Sequence, residues 1–355
     1  MLGIDPKAAR AAWTVFLIAL LIATAYAIRA TLVILAISLF FAYMLMPVVE
    51  TVYRHTPRKV SPTIALAIVY LALIGVLVGL GFTLGSKIAE EANTLATQFP
   101  KLVQNGQWAN EIPLPSWLDP VRDRIVSAIK SQFTGGQDLL PYLKDIPGKL
   151  VELSHYVLDI VLVPILAFFF LKDGAQMREA LVESFVDVSG QRVLDGILTD
   201  INHLLGKYIR ALVLLSLSSF SAYSIFLGIT GASYAVLVAG IAALLEFIPV
   251  VGPLAGGILI IVVTGVSGYA HVLWFAIFWI CFRLFQDYIL SPNLMGAGVE
   301  LNPVLVLFGV LAGERIAGVA GMFFSVPVLA SLRVIYVRLQ RARRRKELSP
   351  EPVEV

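Results

Sequence analysis

Residues 233–264 read SYAVLVAGIAALLEFIPVVGPLAGGILIIVVT, and this stretch decides what kind of fold the chain can adopt. It carries no charge except Glu246, and the sequence PVVGP at 249–253 interrupts it. About 20 apolar residues suffice for a helix to cross the hydrocarbon core of a bilayer, and proline removes a helical hydrogen bond. The stretch is therefore interpreted as a membrane segment that is broken in its middle.

The composition of the whole chain agrees with a membrane protein. The 355 residues include 27 Lys and Arg and 24 Asp and Glu, so that 14% are charged and 58% are hydrophobic, and the mean hydropathy is +0.85. A water-soluble domain of this length needs much more polar surface. This excludes a soluble enzyme, a disordered regulator and a nucleic-acid-binding domain. The single cysteine, Cys281, lies in an apolar run, so no disulfide framework or thiolate metal site is expected.

The other long apolar stretches are continuous and lack the two-residue alternation of barrel strands, so they are predicted to be helices. The predicted fold class is an all-α polytopic membrane protein with eight membrane segments, at 13–28, 31–49, 62–85, 150–171, 208–230, 233–264, 271–290 and 303–337. The first two, separated by Arg29, are expected to form an uncleaved helical hairpin. The sixth and the last, which is broken near Gly313, either cross the membrane or are re-entrant.

Polar inserts and basic residues divide the chain into regions. We predict an N-terminal three-span region (1–86), an extracytoplasmic helical insert (87–149), a C-terminal membrane region (150–338) with a cytoplasmic helical insert (172–207), and a basic cytoplasmic tail (339–355). Cytoplasmic loops carry an excess of Lys and Arg. Arg54, Arg58 and Lys59, together with the basic tail, therefore predict a multi-pass protein of the plasma (inner) membrane with both termini cytoplasmic.

The extracytoplasmic insert begins with an amphipathic stripe. Its apolar residues recur at steps of four and three, which is typical of a helix, and they are Ile88, Ala92, Leu95, Phe99 and Leu102. This face needs a partner surface. Either it packs within the chain or on the membrane surface, or it joins protomers, and the second interpretation predicts a homo-oligomer.

Motifs for catalysis or metal binding are missing from the sequence. There is no G-x-x-x-x-G-K-[ST] and no H-E-x-x-H, and the four histidines fall in four different segments. No enzyme activity, cofactor or metal is predicted. The basic tail is expected to touch anionic lipid headgroups of the bilayer, and nucleic acid is not expected as a partner.

Charged residues inside the predicted segments are candidates for coupling transport to an ion. Each costs at least about 2.5–3.5 kcal/mol at membrane depth. Arg283 and Asp287 lie one helical turn apart and are either a structural pair or a functional one. Glu246 has no basic residue near it in sequence, so it is expected to favour its protonated form and is the leading candidate. Glu314 and Asp159 are further candidates.

The two breaks are candidates for a substrate site. Unwound backbone is tolerated at membrane depth only when it is buried in protein or lines a cavity, and secondary transporters build their sites from such broken helices. The candidate residues at the breaks are Pro249, Gly252, Pro253, Asn302, Pro303 and Gly313.

Three stretches resemble the AI-2E family, the autoinducer-2 exporter-like permeases of bacteria and archaea. They are VPILAFFFLKDG (163–174), EFIPVVGPLAGGIL (246–259) and SPNLMGAGVELNPVLVLFGVLAGERIAGVAGMFFSVPVLA (291–330). The resemblance extends over nearly the whole chain and implies a polytopic inner-membrane permease. Members have been assigned export of the signal autoinducer-2, and some have been described as sodium/proton antiporters. Where relatives commonly carry small residues after the late Ala-Gly, this chain has Glu314 and Arg315.

The leading hypothesis is a secondary transporter that exports a small polar solute, namely autoinducer-2, and is driven by a proton or sodium gradient. The main alternative is a cation/proton antiporter that uses the same carboxylates and has no organic substrate. A non-transporting membrane scaffold is the third hypothesis, and it gives no reason for buried carboxylates at helix breaks.

Overall fold

The computed structural model describes residues 6–55, 62–105, 124, 126–127, 157–185, 187–295 and 301–348. Within these residues every regular element is helical, which confirms the all-α fold class. The helices are α1 (Pro6–Ala27), α2 (Arg29–His55), α3 (Pro62–Asn105), α4 (Val157–Glu183), α5 (Val188–Ile229), α6 (Ala235–Leu245), α7 (Val251–Val266), α8 (Val272–Phe285), α9 (Ser291–Met295) and α10 (Pro303–Leu348), with a π-helical turn at Gln286–Leu290.

Five of the described helical stretches are long and apolar enough to cross a membrane. They lie in α2, α3, α5, α10 and the continuous stretch from α8 to α9, whereas α1, α6 and α7 contribute shorter apolar helices. The exact number of eight membrane segments stays a prediction. Several helices extend well beyond the predicted segments. Helix α3 runs without interruption past residue 86, α4 past residue 171 and α10 past residue 338, and α5 begins 20 residues before the predicted start at residue 208.

The predicted hairpin between the first two segments is wrong. The backbone N–H of Ile28 donates to the carbonyl of Thr24, and the N–H of Leu32 donates to the carbonyl of Ile28. These two helical bonds carry the chain from α1 into α2 through a turn at Ile28 without a loop. A reversal between antiparallel helices needs a loop of about two to five residues, and Arg29 alone does not supply one. The predicted cytoplasmic position of the N-terminus, which relied on that reversal, stays a prediction.

The segment at 233–264 forms a helical hairpin of α6 and α7. Gly256 lies against Ala242, and an added Cβ at Gly252 would lie 1.7 Å from the carbonyl oxygen of Leu245, so the two helices run antiparallel in close contact. At 1.5 Å per residue they are about 17 and 24 Å long, shorter than a hydrocarbon core of about 30 Å. This geometry favours a re-entrant hairpin over two crossings.

The last predicted segment is a second hairpin. The backbone of α10 leaves helical geometry at Ala317 and Gly318, and Gly318 has a φ of +59°, which glycine adopts without steric cost. An added Cβ at Gly313 would lie 2.2 Å from the carbonyl oxygen of Gly321, so the arms before and after the break fold back on each other. The first arm, residues 303–316, is about 21 Å long and is also too short to cross.

The outer stripe of α3 packs inside the chain. Leu95, Phe99 and Val103 are buried in the main apolar core with residues of α5 to α8, while Ile88, Ala92 and Leu102 pack at its edge. Glu91 on the same helix accepts a 2.7 Å hydrogen bond from the backbone N–H of Leu237 in the first turn of α6. The stripe therefore holds the first hairpin against α3 and is not the subunit contact that one interpretation of the sequence predicted. A homo-oligomer stays a prediction, but this stripe does not support it.

The first half of α5 lies beside the middle of α2 and the last part of α10. Arg338 makes a bidentate ion pair with Asp200, at 2.5 and 2.7 Å, and Tyr43 donates a 2.7 Å hydrogen bond to Asn202. The polar half of α5 and the basic end of α10 therefore lie on one side of the molecule.

Candidate transport site at the hairpin tip

Glu246 occupies the tip of the first hairpin, where it follows α6 as its C-cap residue. Only 6% of its surface is exposed. The turn continues through Pro249 to Val250, whose φ is +66°, a costly conformation for a β-branched residue. Such strain, of order 1–3 kcal/mol, persists only where the surroundings impose it, and it is concentrated at functional sites.

Arg283 of α8 bridges two carboxylates. Its Nη1 lies 2.9 Å from Oε1 of Glu246, its Nη2 lies 2.6 Å from Oδ1 of Asp287, and its Nε donates to Oδ2 of Asp287 at 2.9 Å. The side chain of Asp287 is 45% exposed, and that of Arg283 27%. The trio holds two negative charges and one positive charge when both carboxylates are ionised, with Glu246 at its buried end.

Polar side chains of α5 extend this network. Ser219 donates to Oε2 of Glu246 at 3.3 Å, and Gln286 donates through Nε2 to Ser219 at 2.9 Å and to Ser218 at 3.2 Å. Ser218 donates in turn to the carbonyl of Leu215 in its own helix. The amide oxygen of Gln286 is buried and has no hydrogen-bond partner among the described residues. An unpaired buried acceptor costs about 1–3 kcal/mol, so it is a place where a water or a substrate hydroxyl would be stabilised.

The π-helical turn at 286–290 contains two residues of this network, Gln286 and Asp287. It begins immediately after α8, and Gln286 is its first residue. A π-helical turn contains one residue more than an α-helical turn, and such turns are frequent at functional sites. Gln286 is 1% exposed, whereas Asp287 beside it reaches the surface. Two neighbouring residues of the turn thus belong to opposite ends of the network, Gln286 to the buried end and Asp287 to the exposed end.

The network differs from the sequence-based expectation in one respect. Glu246 was expected to lie without a cationic partner, yet Arg283 is its partner from 37 residues further along the chain. Burial favours the neutral form of a carboxyl group, and an adjacent guanidinium favours the ionised form. The two influences oppose each other at Glu246. Ser219 and Gln286 were not among the predicted site residues, because their partners lie on other helices.

The other residues predicted at the first break build the hairpin itself. Pro249 lies in the turn, and its carbonyl accepts a hydrogen bond from Val251. Gly252 and Pro253 are buried in the first turn of α7, where Gly252 permits the close approach to α6. They therefore build the turn that carries Glu246.

At the second break, Gly313 likewise permits close contact between the arms of α10. Asn302 accepts a 2.9 Å hydrogen bond from the N–H of Val304, and Pro303 is the first residue of the helix, so the pair forms a helix start. Glu314 lies near the tip and pairs at 3.5 Å with Arg315, both with exposed side chains. The structure does not bring these residues into the network of Glu246.

Asp159 falls in the first turn of α4. Its side chain lies outside the part of the chain that the structure describes, so its predicted role stays a prediction.

The two hairpins meet at an aromatic cluster next to the charged network. The ring of Phe247, at the first tip, lies 5.5 Å from Phe323 in the second hairpin, and Phe40 of α2 lies 4.9 Å from Phe323. A cavity of about 480 Å³ lies between the hairpins, beside these aromatic rings. Its lining is apolar and is formed by residues such as Ile37, Phe40, Leu244, Phe247, Val319 and Phe323.

Metal binding has no support in the part of the chain that is described, where no three metal-ligating side chains come together. Glu246 and Asp287 are two carboxylates separated by a guanidinium, which occupies oxygen atoms of both.

The sequence of this chain matches a known protein family. Residues 15–341 match the family described as AI-2E family transporter. The chain belongs to the AI-2E transporter family. The resemblance seen in the three stretches at 163–174, 246–259 and 291–330 is thereby confirmed over nearly the whole chain.

Individual relatives of this AI-2E family chain cover most of its length. It is 26% identical over 330 residues to "Putative transport protein YrrI" of Bacillus subtilis (strain 168), covering 89% of this chain and 88% of the relative. It is 22% identical over 338 residues to "Putative transport protein MJ1177" of Methanocaldococcus jannaschii, covering 92% and 96%. The AI-2E family chain is therefore a multi-pass membrane protein with a role in membrane transport.

Proposed function

We propose that this chain is an ion-coupled secondary transporter whose coupling group is Glu246. One observation carries the proposal: a buried carboxylate at the tip of a broken hairpin shares a guanidinium with a second, half-exposed carboxylate. Charges are retained at membrane depth where they mark ion pathways and proton relays. The strained backbone at Val250 and the π-helical turn at 286–290 further support a functional role for this site.

Coupling would proceed through exchange of partners at Arg283. In the structure Arg283 neutralises Glu246 and is also held by Asp287. A proton or sodium ion that reaches Glu246 would replace the guanidinium, and Arg283 would then pair with Asp287 alone. Because Glu246 lies in the turn between α6 and α7, loss of its ion pair frees the hairpin tip from α8. Movement of the tip is the step that would expose the site to the other side of the membrane.

The proposed solute is a small polar molecule, and autoinducer-2 is the candidate because of the family to which the chain belongs. The amide oxygen of Gln286 supports a solute with hydroxyl groups, since it is a buried acceptor without a donor among the described residues. Export would be driven by the proton or sodium gradient that Glu246 senses.

Cation/proton antiport is the second candidate, and a specific observation favours it. The cavity between the hairpins is lined by apolar side chains, which offer a polar organic solute no hydrogen bonds. An ion that travels along Ser219, Glu246 and Asp287 would not need that cavity. The two candidates use the same charged residues and differ in whether an organic solute moves.

Reconstitution into liposomes tests both candidates. Internal pH is recorded while a sodium gradient and then autoinducer-2 are applied to the purified protein. Solute flux that depends on the ion gradient is expected for the exporter, and sodium-driven proton movement without organic solute is expected for the antiporter. Flux of neither kind would contradict ion-coupled transport.

Two variants test whether the flux depends on the carboxylate of Glu246. Glu246→Gln imitates the protonated carboxyl group and is expected to abolish gradient-driven flux. Glu90→Gln removes the same charge from an exposed position on α3 and is expected to leave the flux unchanged. Normal flux in Glu246→Gln would remove Glu246 from the mechanism.

We further propose that the protein lies in the plasma membrane with residues 56–61 and the end of α10 in the cytoplasm. The excess of Lys and Arg there supports this orientation. In a background without Cys281, Ser127→Cys should be labelled by an impermeant thiol reagent added outside cells. Labelling only from the cytoplasmic side would reverse the orientation.

A further inference from the structure

A large apolar groove lies on the far side of α2 from the first hairpin. It has a volume of about 980 Å³ and is bounded by α2, α3, α4 and the tip of the second hairpin. Most of its lining is aliphatic, with Val33, Ile34 and Phe41 of α2, Leu77 of α3 and Val163 of α4 among its residues. Ile316, Ala317 and Gly318 at the break of α10 form one of its walls.

One cation lies at the end of this groove. Arg29 lines it as the first residue of α2, and it is the only charged residue among the described residues of the lining. Its guanidinium lies 4.3 Å from the centre of the Tyr26 ring, and no carboxylate of the described residues pairs with it. The groove therefore combines a long apolar body with an unneutralised positive end.

The groove is long enough for an acyl chain. Arg29 and Phe41, which both line it, lie 12 residues apart on α2, about 18 Å along the helix. A hydrocarbon core of about 30 Å contains two layers of acyl chains, so one chain spans about 15 Å.

We propose that this groove binds an anionic phospholipid, with its phosphate on Arg29 and an acyl chain along α2 down to Phe41. Charge complementarity selects the anionic headgroup, and the length and apolar character of the lining select an acyl chain. The bound lipid touches the second hairpin at its break, beside Glu314 and Arg315. The site is separate from Glu246, and the proposal does not depend on ion coupling.

Native mass spectrometry of the full-length protein tests the proposal. Protein in detergent is titrated with phosphatidylglycerol and with phosphatidylcholine of identical acyl chains, and the lipid-bound fractions are compared. We expect the wild type to prefer phosphatidylglycerol. Arg29→Gln should lower the affinity for phosphatidylglycerol about five-fold, equivalent to about 1 kcal/mol, and leave phosphatidylcholine binding nearly unchanged.

A second variant and a control separate the groove from other lipid sites. Ala30→Trp fills the mouth of the groove while Arg29 remains, so it should reduce binding of both lipids. Arg343→Gln removes a cation from the basic end of α10, outside the groove, and should leave the preference intact. Thermal unfolding of each variant in detergent shows whether it is folded.

Three outcomes would overturn the proposal. One is a wild type without headgroup preference. Another is a preference that is lost in Arg343→Gln and kept in both groove variants, which would place the anionic lipid on the basic tail. The third is a change in the mass of the protein assembly, rather than in bound lipid, when Arg29 or Ala30 is replaced. That result would mean that a second copy of the chain covers the groove.

Discussion

Removal of Arg283 should destabilise the protein far more than removal of Asp287. Arg283→Met leaves Glu246, which is 6% exposed, as a buried carboxylate without its cation. Breaking a buried pair in this way costs about 3–5 kcal/mol. Asp287→Asn leaves Arg283 paired with Glu246 and removes a carboxylate whose side chain is 45% exposed, so about 0–1 kcal/mol is expected. If Asp287 were the sole partner of Arg283, its loss would instead leave a partly buried guanidinium unpaired and cost more.

A double variant isolates the cause. Glu246→Gln removes the carboxylate that Arg283→Met would leave unpaired, so the double variant should be more stable than Arg283→Met alone, with a coupling of about 2 kcal/mol. Glu246→Gln alone should cost about 1 kcal/mol, because Arg283 keeps Asp287 and only hydrogen bonds are weakened.

Equilibrium unfolding in mixed micelles with increasing sodium dodecyl sulfate measures these differences, with far-UV circular dichroism as the signal. All four variants and the wild type are compared at one pH and one detergent composition. If Arg283→Met is no less stable than Asp287→Asn, or if Glu246→Gln fails to restore part of the loss, the ion pair between Arg283 and Glu246 is not formed and the proposed coupling site loses its basis.

Two further predictions concern the hairpins. Gly313→Ala should destabilise the protein by about 1–3 kcal/mol, because the added Cβ would lie 2.2 Å from a carbonyl oxygen of the facing arm. Gly75→Ala, where no atom lies within 4 Å of the added Cβ, should not lower the melting temperature, and equal melting temperatures for the two variants would contradict the second hairpin. Glu91→Gln should cost about 1 kcal/mol, since the carboxylate accepts the N–H of Leu237 and the N-cap residue of α6 makes no side-chain capping bond. Glu90→Gln is the exposed control with an expected change within about 0.5 kcal/mol, and amide hydrogen exchange at Leu237 should rise only in the Glu91 variant.

The sequence alone determined the class of the protein and the position of its first break. The second break was predicted near Gly313, whereas the backbone leaves helical geometry four to five residues later, at Ala317 and Gly318. The length of the apolar runs specifies membrane helices. Pro249 interrupts helical hydrogen bonding whatever its tertiary surroundings, because proline has no backbone N–H. The charges of Glu246, Arg283 and Asp287 could be found in the same way, because a charge inside an apolar run is conspicuous without any structure. These properties depend on residues near one another in the chain.

Only the tertiary structure decided which of these residues meet. Arg283 reaches Glu246 because α8 packs beside the tip of the first hairpin, and Ser219 reaches it from α5, over separations of 37 and 27 residues. The stripe around Leu95 became a contact within the chain because α3 continues along that hairpin. Pairings of this kind depend on how helices pack, which periodicity and composition do not encode. The junction at Arg29 is different, since its bonds are local, yet apolar runs on both sides of one charge are compatible with a turn and with a continued helix. The backbone geometry at Ile28 decided between these two possibilities.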